Sequence, residues 1–217
     1  MIEIKDFVFN PFMENTYVVY DDSGEAVVID PGCYEKEEQA ELSEFIESKN
    51  LKVVKLLNTH CHIDHVLGNQ YIKDKYGVGL YIHPKDEETL KSVKVYAPAY
   101  GFAQYHEAEA DGFIEEGDTI QFGNSDFEVI FVPGHAPGHV AFVNKAQRIC
   151  MGGDVLFDGS IGRTDLPGGN FEVLIKSIHE KMFALDDGTT VYCGHGGPTT
   201  IGKEKVSNPF CAITGST

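Results

Sequence analysis

Val53-Val54-Lys55-Leu56-Leu57 runs into Asn58-Thr59-His60-Cys61-His62-Ile63-Asp64-His65. A short apolar run bounded by polar residues reads as a buried strand, and the histidines begin where it stops. Residues i and i+2 of an extended chain point the same way. His60 and His62 therefore converge on one point while Cys61 faces away. Asp64 and His65 lie past the bend, placed to serve a second point. Nine histidines are spread over 217 residues, so four potential ligands between His60 and His65 read as a metal site rather than as a polar turn.

Three further residues extend the pattern, each after a predicted strand. His135 lies in Pro133-Gly134-His135 after residues 127–132, Asp154 in Gly152-Gly153-Asp154 after 148–151, and His195 in Gly194-His195-Gly196 after 191–193. Loops beyond strand ends carry function because a rigid scaffold positions them. The glycines let the backbone turn sharply beside each candidate ligand.

Outward from these points, strands are expected at 2–9, 16–20, 26–29 and 81–82, with a hairpin of 119–122 and 127–132 turning at Gly123-Asn124. Further strands are expected at 140–143, 148–151 and 190–193. Helical spacing covers 35–49, with Leu42, Phe45 and Ile46 on one side, and also 84–92 and 171–183. A helix following the first histidine cluster should end at Gly77. Residues 93–112 show no clean period. Their Tyr96, Tyr100, Phe102 and Tyr105 either pack beneath a long loop or wall a substrate pocket. Residues 152–169 form a glycine-rich loop. The mixed order of strands and helices predicts an α/β fold of two mixed sheets flanked by helices, and no linker divides residues 1–217 into more than one domain.

Asp and Glu number 34 against 17 Lys and Arg, a formal charge of −17. This is the wrong sign for neutralising phosphates, so neither nucleic acid nor an anionic membrane is an expected partner. No apolar run approaches the roughly 18 residues of a spanning helix. The five cysteines are widely spaced with no CxxC pair, and the opening MIEIKDFVF lacks a basic region followed by a long apolar stretch. Free thiols in a reducing cytoplasm are expected.

The complete pattern, HxHxDH followed by His, Asp and His, resembles the metallo-β-lactamase superfamily. The resemblance implies an αββα sandwich. It also implies that His60, His62 and His135 hold one metal, that Asp64, His65 and His195 hold a second, and that Asp154 bridges them. Asn15-x-Tyr17, Val28-Ile29-Asp30-Pro31-Gly32 and the loop Ser160-Ile161-Gly162-Arg163-Thr164-Asp165-Leu166-Pro167-Gly168-Gly169 are similar to glyoxalase II, the hydroxyacylglutathione hydrolases. Gly202-Lys203-Glu204 with Asn208-Pro209-Phe210 resembles the short form of that family. Two features depart from it. Longer members add a helical domain whose basic groups hold glutathione, whereas here only Gly196 to Thr217 follow the last ligand. Ala136 stands where threonine is common.

Two ions about 3.5–4 Å apart lower the pKa of a water and hold a bridging hydroxide, the expected nucleophile, with Asp64 orienting it and Asp154 between the ions. A thioester suits such a site, because a thiol of pKa about 8.5 leaves without a strong general acid. The expected substrate is a small 2-hydroxyacyl thioester such as the lactoyl thioester of glutathione. Zinc fits the mixed imidazole and carboxylate donors, and iron or manganese are accepted too. The competing readings are a mononuclear-iron persulfide dioxygenase, whose loop reads GCGRTDFQ-like, a lactonase or β-lactamase of the same fold, and a non-catalytic metal-binding protein. Structural zinc sites are normally closed and cysteine-rich, unlike this one. Asp30 is either a turn residue or a support for a ligand loop. His83 and His179 are expected to be structural and His106 exposed. Arg163 and Lys203 are candidates for a substrate carboxylate, with Arg163 read as pairing with Asp165.

Overall fold

Alternation decides which side each strand buries. In the computed structural model, which describes residues 1–213, the first strands are β1 (Glu3–Phe9), β2 (Glu14–Tyr20) and β3 (Glu25–Ile29). Tyr17, Val19, Val27 and Ile29 face one apolar cluster, while Val18, Tyr20, Ala26 and Val28 face another. This period of two means that the sheet is covered on both sides, and β2 is buried along its whole length.

The first sheet continues through β4 (Lys52–Leu57), β5 (Leu80–Ile82) and β6 (Gly112–Phe113) in the order β1-β2-β3-β4-β5-β6. Its first three strands pair antiparallel and the rest parallel. The second sheet contains β7 (Thr119–Phe122), β8 (Ser125–Phe131), β9 (Val140–Asn144) and β10 (Ile149–Gly153). A small hairpin of β11 (Leu156–Phe157) and β12 (Ser160–Ile161) follows, then β13 (Thr190–Cys193) and β14 (Thr199–Thr200) complete the order β14-β13-β10-β9-β8-β7. The β10–β13 pair is parallel and its neighbours antiparallel, so both sheets are mixed.

Between the sheets lie Phe122, Phe127, Phe142 and Met151 with the inward residues of β2 and β3. Phe127 and Phe142 are fully buried, and truncating such a ring to alanine costs about 3–5 kcal/mol. Helices cover the outer faces. On the first sheet they are α1 (Lys36–Ser48), α2 (Ile63–Val66), α3 (Asn69–Tyr76) and α4 (Glu87–Tyr96). On the second they are α5 (Phe171–Ser177), which continues as a π-helical turn over Ile178–Met182, and α6 (Ile201–Ser207).

Three segments differ from the sequence expectation. The helix expected up to Gly77 is two pieces, broken at Gly68, whose N–H donates to Pro31 O at 2.7 Å. A Cβ at Gly68 would meet Cys33 Sγ at 2.5 Å, so close packing against the turn after β3 sets the break. Gly77 does cap α3 in the left-handed conformation. The helix expected to stop at residue 92 runs to Tyr96 and continues as a 3-10 turn over Ala97–Tyr100. Its buried face is Leu90, Val93 and Ala97, and a stripe ending in alanine is weak in an apolar count. The glycine-rich loop contains the β11–β12 hairpin. No helix among the described residues is long and apolar enough to cross a membrane.

Candidate metal centre

Four strand ends open onto one point. The loops after β4, β8, β10 and β13 carry His60 to His65, His135, Asp154 and His195. Parallel pairing of β10 with β13 sets Gly153 opposite Cys193, and Gly194 N–H donates to Gly153 O at 2.8 Å. Asp154 and His195 are thereby neighbours. The sheets are stitched together here: Asn15 N–H donates to Gly194 O at 2.7 Å, and Val140 N–H donates to Thr59 O at 2.8 Å.

The structure brings all seven predicted residues together. Ring nitrogens of His60, His62 and His135 lie within 4.8 Å of one another, as do donor atoms of Asp64, His65 and His195. Asp154 stands between the two groups. Its Oδ2 is 3.5 Å from His135 Nε2 and 3.4 Å from His195 Nε2, and its Oδ1 is 3.5 Å from His65 Nε2. The chain at His62 is extended, as the alternating spacing required, and Cys61 is buried on the other side.

Hydrogen bonds at the far ring nitrogens orient the imidazoles. Thr59 Oγ1 donates to Asp30 Oδ2 at 2.6 Å, so at 3.1 Å it accepts from His60 Nδ1–H, leaving the Nε2 lone pair toward the centre. His65 Nδ1–H donates to Asp30 Oδ2 at 3.1 Å, His135 Nδ1–H to Arg163 O at 2.8 Å, and His195 Nδ1–H to the carbonyls of Phe12 and Met13 at 3.2 Å. Such outer partners fix tautomer and ring orientation in metal sites. His62 instead turns Nδ1 inward, 2.9 Å from His135 Nε2.

The donor set fits divalent cations. Nitrogen lone pairs face one another at 3.2 Å between His135 Nε2 and His60 Nε2, a contact that needs a shared positive charge. His65 Nε2 and Asp154 Oδ1 are buried without hydrogen-bond partners among the described residues. Buried polar atoms are rarely left so. Asp30 also lies within reach of His60 and His65. Both its oxygens are occupied, by Thr59 N–H at 2.7 Å and by the Thr59 hydroxyl and His65, so it supports the ligands rather than joining them.

Electrostatics agree with tight coupling. Burial pulls His62 down to about 3, and holds His60 and His135 below the ordinary imidazole value. Burial also opposes protonation of His65 and His195, but Asp64 and Asp154 beside His65 outweigh it. Hydrogen bonds that His195 donates to Asp154 and Asp64 outweigh burial there and push it up to about 10. Asp154 is held well below the carboxylate range: burial resists its ionisation, and His65 and His195 outweigh that. Without cations, protons on His65 and His195 compensate the carboxylates, and cations would displace them.

The remaining candidates separate cleanly. Arg163 makes a bidentate pair with Asp165, both bonds 2.7 Å, and Lys203 pairs with Asp158. His83 caps a 3-10 turn through Nδ1, His179 bonds Cys211 O at 2.8 Å, and His106 is exposed. Part of the segment after α4 packs beneath its own loop. Phe102 is buried against Tyr34, whereas Tyr100 is exposed, with its ring 6.3 Å from Phe12, the residue whose carbonyl holds His195.

Three supports were missed in the sequence. Asp86, fully buried, accepts from Cys61 N–H at 2.6 Å and Gly138 N–H at 2.9 Å, tying two ligand loops together. Glu14 is fully buried behind His65, and burial pushes its carboxyl well above the ordinary value. His139 stacks on His60 with ring centroids 4.7 Å apart. Only His139 left a signal, the recurrence of Pro-Gly-His at Pro133-Gly134-His135 and Pro137-Gly138-His139.

Comparison with known proteins agrees with this geometry. The metallo-beta-lactamase superfamily pattern matches residues 9–195. The chain is 38% identical over 201 residues to the hydroxyacylglutathione hydrolase GloC of Haemophilus influenzae, covering 92% of this chain and 93% of that protein. Among solved structures, the BLEG-1 B3 metallo-beta-lactamase superposes with a TM-score of 0.86 at 33% identity, covering 97% of this chain and 100% of that one. TTHA1623 in a di-iron-bound form superposes with a TM-score of 0.84 at 34% identity, covering 95% and 99%. With two mixed sheets, helices on both outer faces and histidine clusters at the strand ends, the chain belongs to the metallo-beta-lactamase superfamily of metal-dependent hydrolases.

Proposed function

We propose that this protein is a cytoplasmic hydrolase of small acyl thioesters, with 2-hydroxyacyl thioesters such as S-lactoylglutathione as its substrate class. The observation that carries the reading is two three-donor clusters sharing one carboxylate, Asp154. His60, His62 and His135 would hold one divalent ion, and Asp64, His65 and His195 the other, with zinc the first choice and iron or manganese compatible with the donors. When bound, the ions lower the pKa of a water and polarise the substrate carbonyl.

The chain's own residues prepare the rest. Asp64 stays a carboxylate because His65 and a hydrogen bond from His195 outweigh the resistance of burial. It can orient the attacking water. Phe12, whose carbonyl accepts from His195, and Tyr100 set two exposed rings 6.3 Å apart, a surface that an acyl chain or carrier could meet. No strong acid is needed for departure, since a thiol of pKa about 8.5 leaves as the thiolate. The loop that resembles glyoxalase II is joined to the centre through the Arg163 carbonyl and His135. The GloC likeness, over nearly equal lengths, supports the same chemistry.

One acyl group presented on glutathione, coenzyme A, cysteine and a simple alkyl thiol tests the reading. Release of free thiol from these substrates supports it. Hydrolysis of a lactone with no thioester turnover would reject it.

A further inference from the structure

His139 is fully buried and, among the described residues, makes one hydrogen bond through its ring. Its Nε2 accepts from the backbone N–H of Asp154 at 3.0 Å. An imidazole nitrogen that accepts has no proton, so the ring is neutral and its hydrogen is on Nδ1. That Nδ1 has no partner among the described residues. A buried donor left unpaired carries a desolvation cost, which an apolar ring of similar shape would not incur. What such a ring would lose is the acceptor for Asp154.

The ring is wedged between segments that carry candidate ligands. It stacks on His60 at 18°, and lies 5.9 Å, centroid to centroid, from the His135 ring. On the third side is Gly153, left-handed at φ +51°, where a Cβ would stand 2.8 Å from His139 Nε2 and Cε1. Only glycine allows this approach, and it delivers the Asp154 N–H to the ring. Aiming the carboxylate that stands between both donor clusters thus depends on a histidine outside either cluster.

We infer that His139 is a positioning residue: its Nε2 anchors the Asp154 backbone so that the carboxylate reaches both donor clusters. The inference rests on Asp154 being a metal ligand. Partners of this kind typically govern metal affinity or activity by roughly 10–100-fold.

The test uses full-length protein loaded with Zn²⁺, and compares His139→Gln, His139→Asn and Asp154→Asn. Glutamine sets its amide oxygen where Nε2 stands, whereas asparagine sets it near Nδ1, out of reach of the Asp154 N–H. Zinc retention is measured against a competing chelator, with no substrate present, beside the thermal midpoint of each metal-free protein. His139→Asn should lose zinc at a roughly 10–100-fold lower chelator concentration, and His139→Gln should recover most of that loss. Turnover of a thioester should follow zinc content in kcat, with KM unchanged. Unaltered zinc retention in His139→Asn, or a loss in His139→Gln as large as in His139→Asn, overturns the inference. If Asp154→Asn itself retains zinc like the parent, the ligand reading falls and the inference falls with it.

Discussion

A Cβ placed on Gly194 would lie 2.0 Å from Asp154 Oδ1 and 2.8 Å from His65 Cε1. The glycine beside the last ligand is required by the space of the site, not by its own backbone angles. Gly194→Ala is therefore expected to displace the Asp154 carboxylate and reduce metal content below that of the parent, with the fold retained. Elemental analysis and circular dichroism of the purified variant check this. A variant with full metal content and parental turnover would show that the loop gives way freely.

Asp30 accepts hydrogen bonds from Thr59 N–H, the Thr59 hydroxyl and His65 Nδ1, so one carboxylate orients ligands of both clusters. Asp30→Ala should weaken metal retention by roughly 10–100-fold. It should also lower the stability of the metal-free protein, because three buried donors lose their acceptor. Chelator competition and denaturant unfolding report the two effects separately, and an unchanged chelator midpoint would remove Asp30 from the account of the site.

Asp21 ties the β2–β3 turn to the β7–β8 turn. It accepts from Ser23 N–H at 2.9 Å, Asn124 N–H at 2.8 Å and Ser125 Oγ at 2.8 Å. Burial acts to raise its pKa, but hydrogen bonds from Ser23, Ser125 and Asn124 outweigh it and hold the pKa below the ordinary value. The folded pKa lies below the unfolded one. Its stabilisation is therefore complete above pH of about 4 and is lost as pH falls through the folded pKa. Asp21→Ala should cost about 1–3 kcal/mol near pH 7 and less in acid. Urea unfolding at both pH values gives the comparison; a difference that grows on acidification would contradict the sign.

Arg163 and Lys203 are each paired with an acid, Asp165 and Asp158. A cation held this way is a weak clamp for a substrate carboxylate. Replacing either with alanine should leave KM for the glutathione thioester within about threefold, whereas loss of one charge-assisted bond to substrate is worth about 1.5–3 kcal/mol, or more than tenfold. Steady-state kinetics across the carriers decides. A tenfold rise in KM for glutathione alone would assign that residue to carrier recognition.

Much of the site could be read from the chain because its chemistry is local. His60, His62, Asp64 and His65 share one strand end, and spacing alone fixes how they diverge. His135, Asp154 and His195 could be found because each follows an apolar strand and has a glycine before or beside it. The supports were harder to see. Glu14 and Asp86 serve the site only through contacts 25 or more residues away, such as Asp86 with Cys61. Isolated acids in a chain holding 34 of them carry no local mark. The helix through Tyr96 was obscured for another reason, since small Ala97 completes its buried face and the tyrosines around it look apolar without a period. Gly68 divides a helix that looked continuous because the cause is Cys33, a distant neighbour.

The most direct test of the account is thiol release from S-lactoylglutathione under strictly anaerobic conditions, by protein whose metal content has been measured in the same preparation. The account predicts about two divalent ions per chain and one free thiol per thioester consumed, with no requirement for oxygen. One iron per chain, no anaerobic thiol release and oxygen-dependent consumption of glutathione persulfide would contradict it.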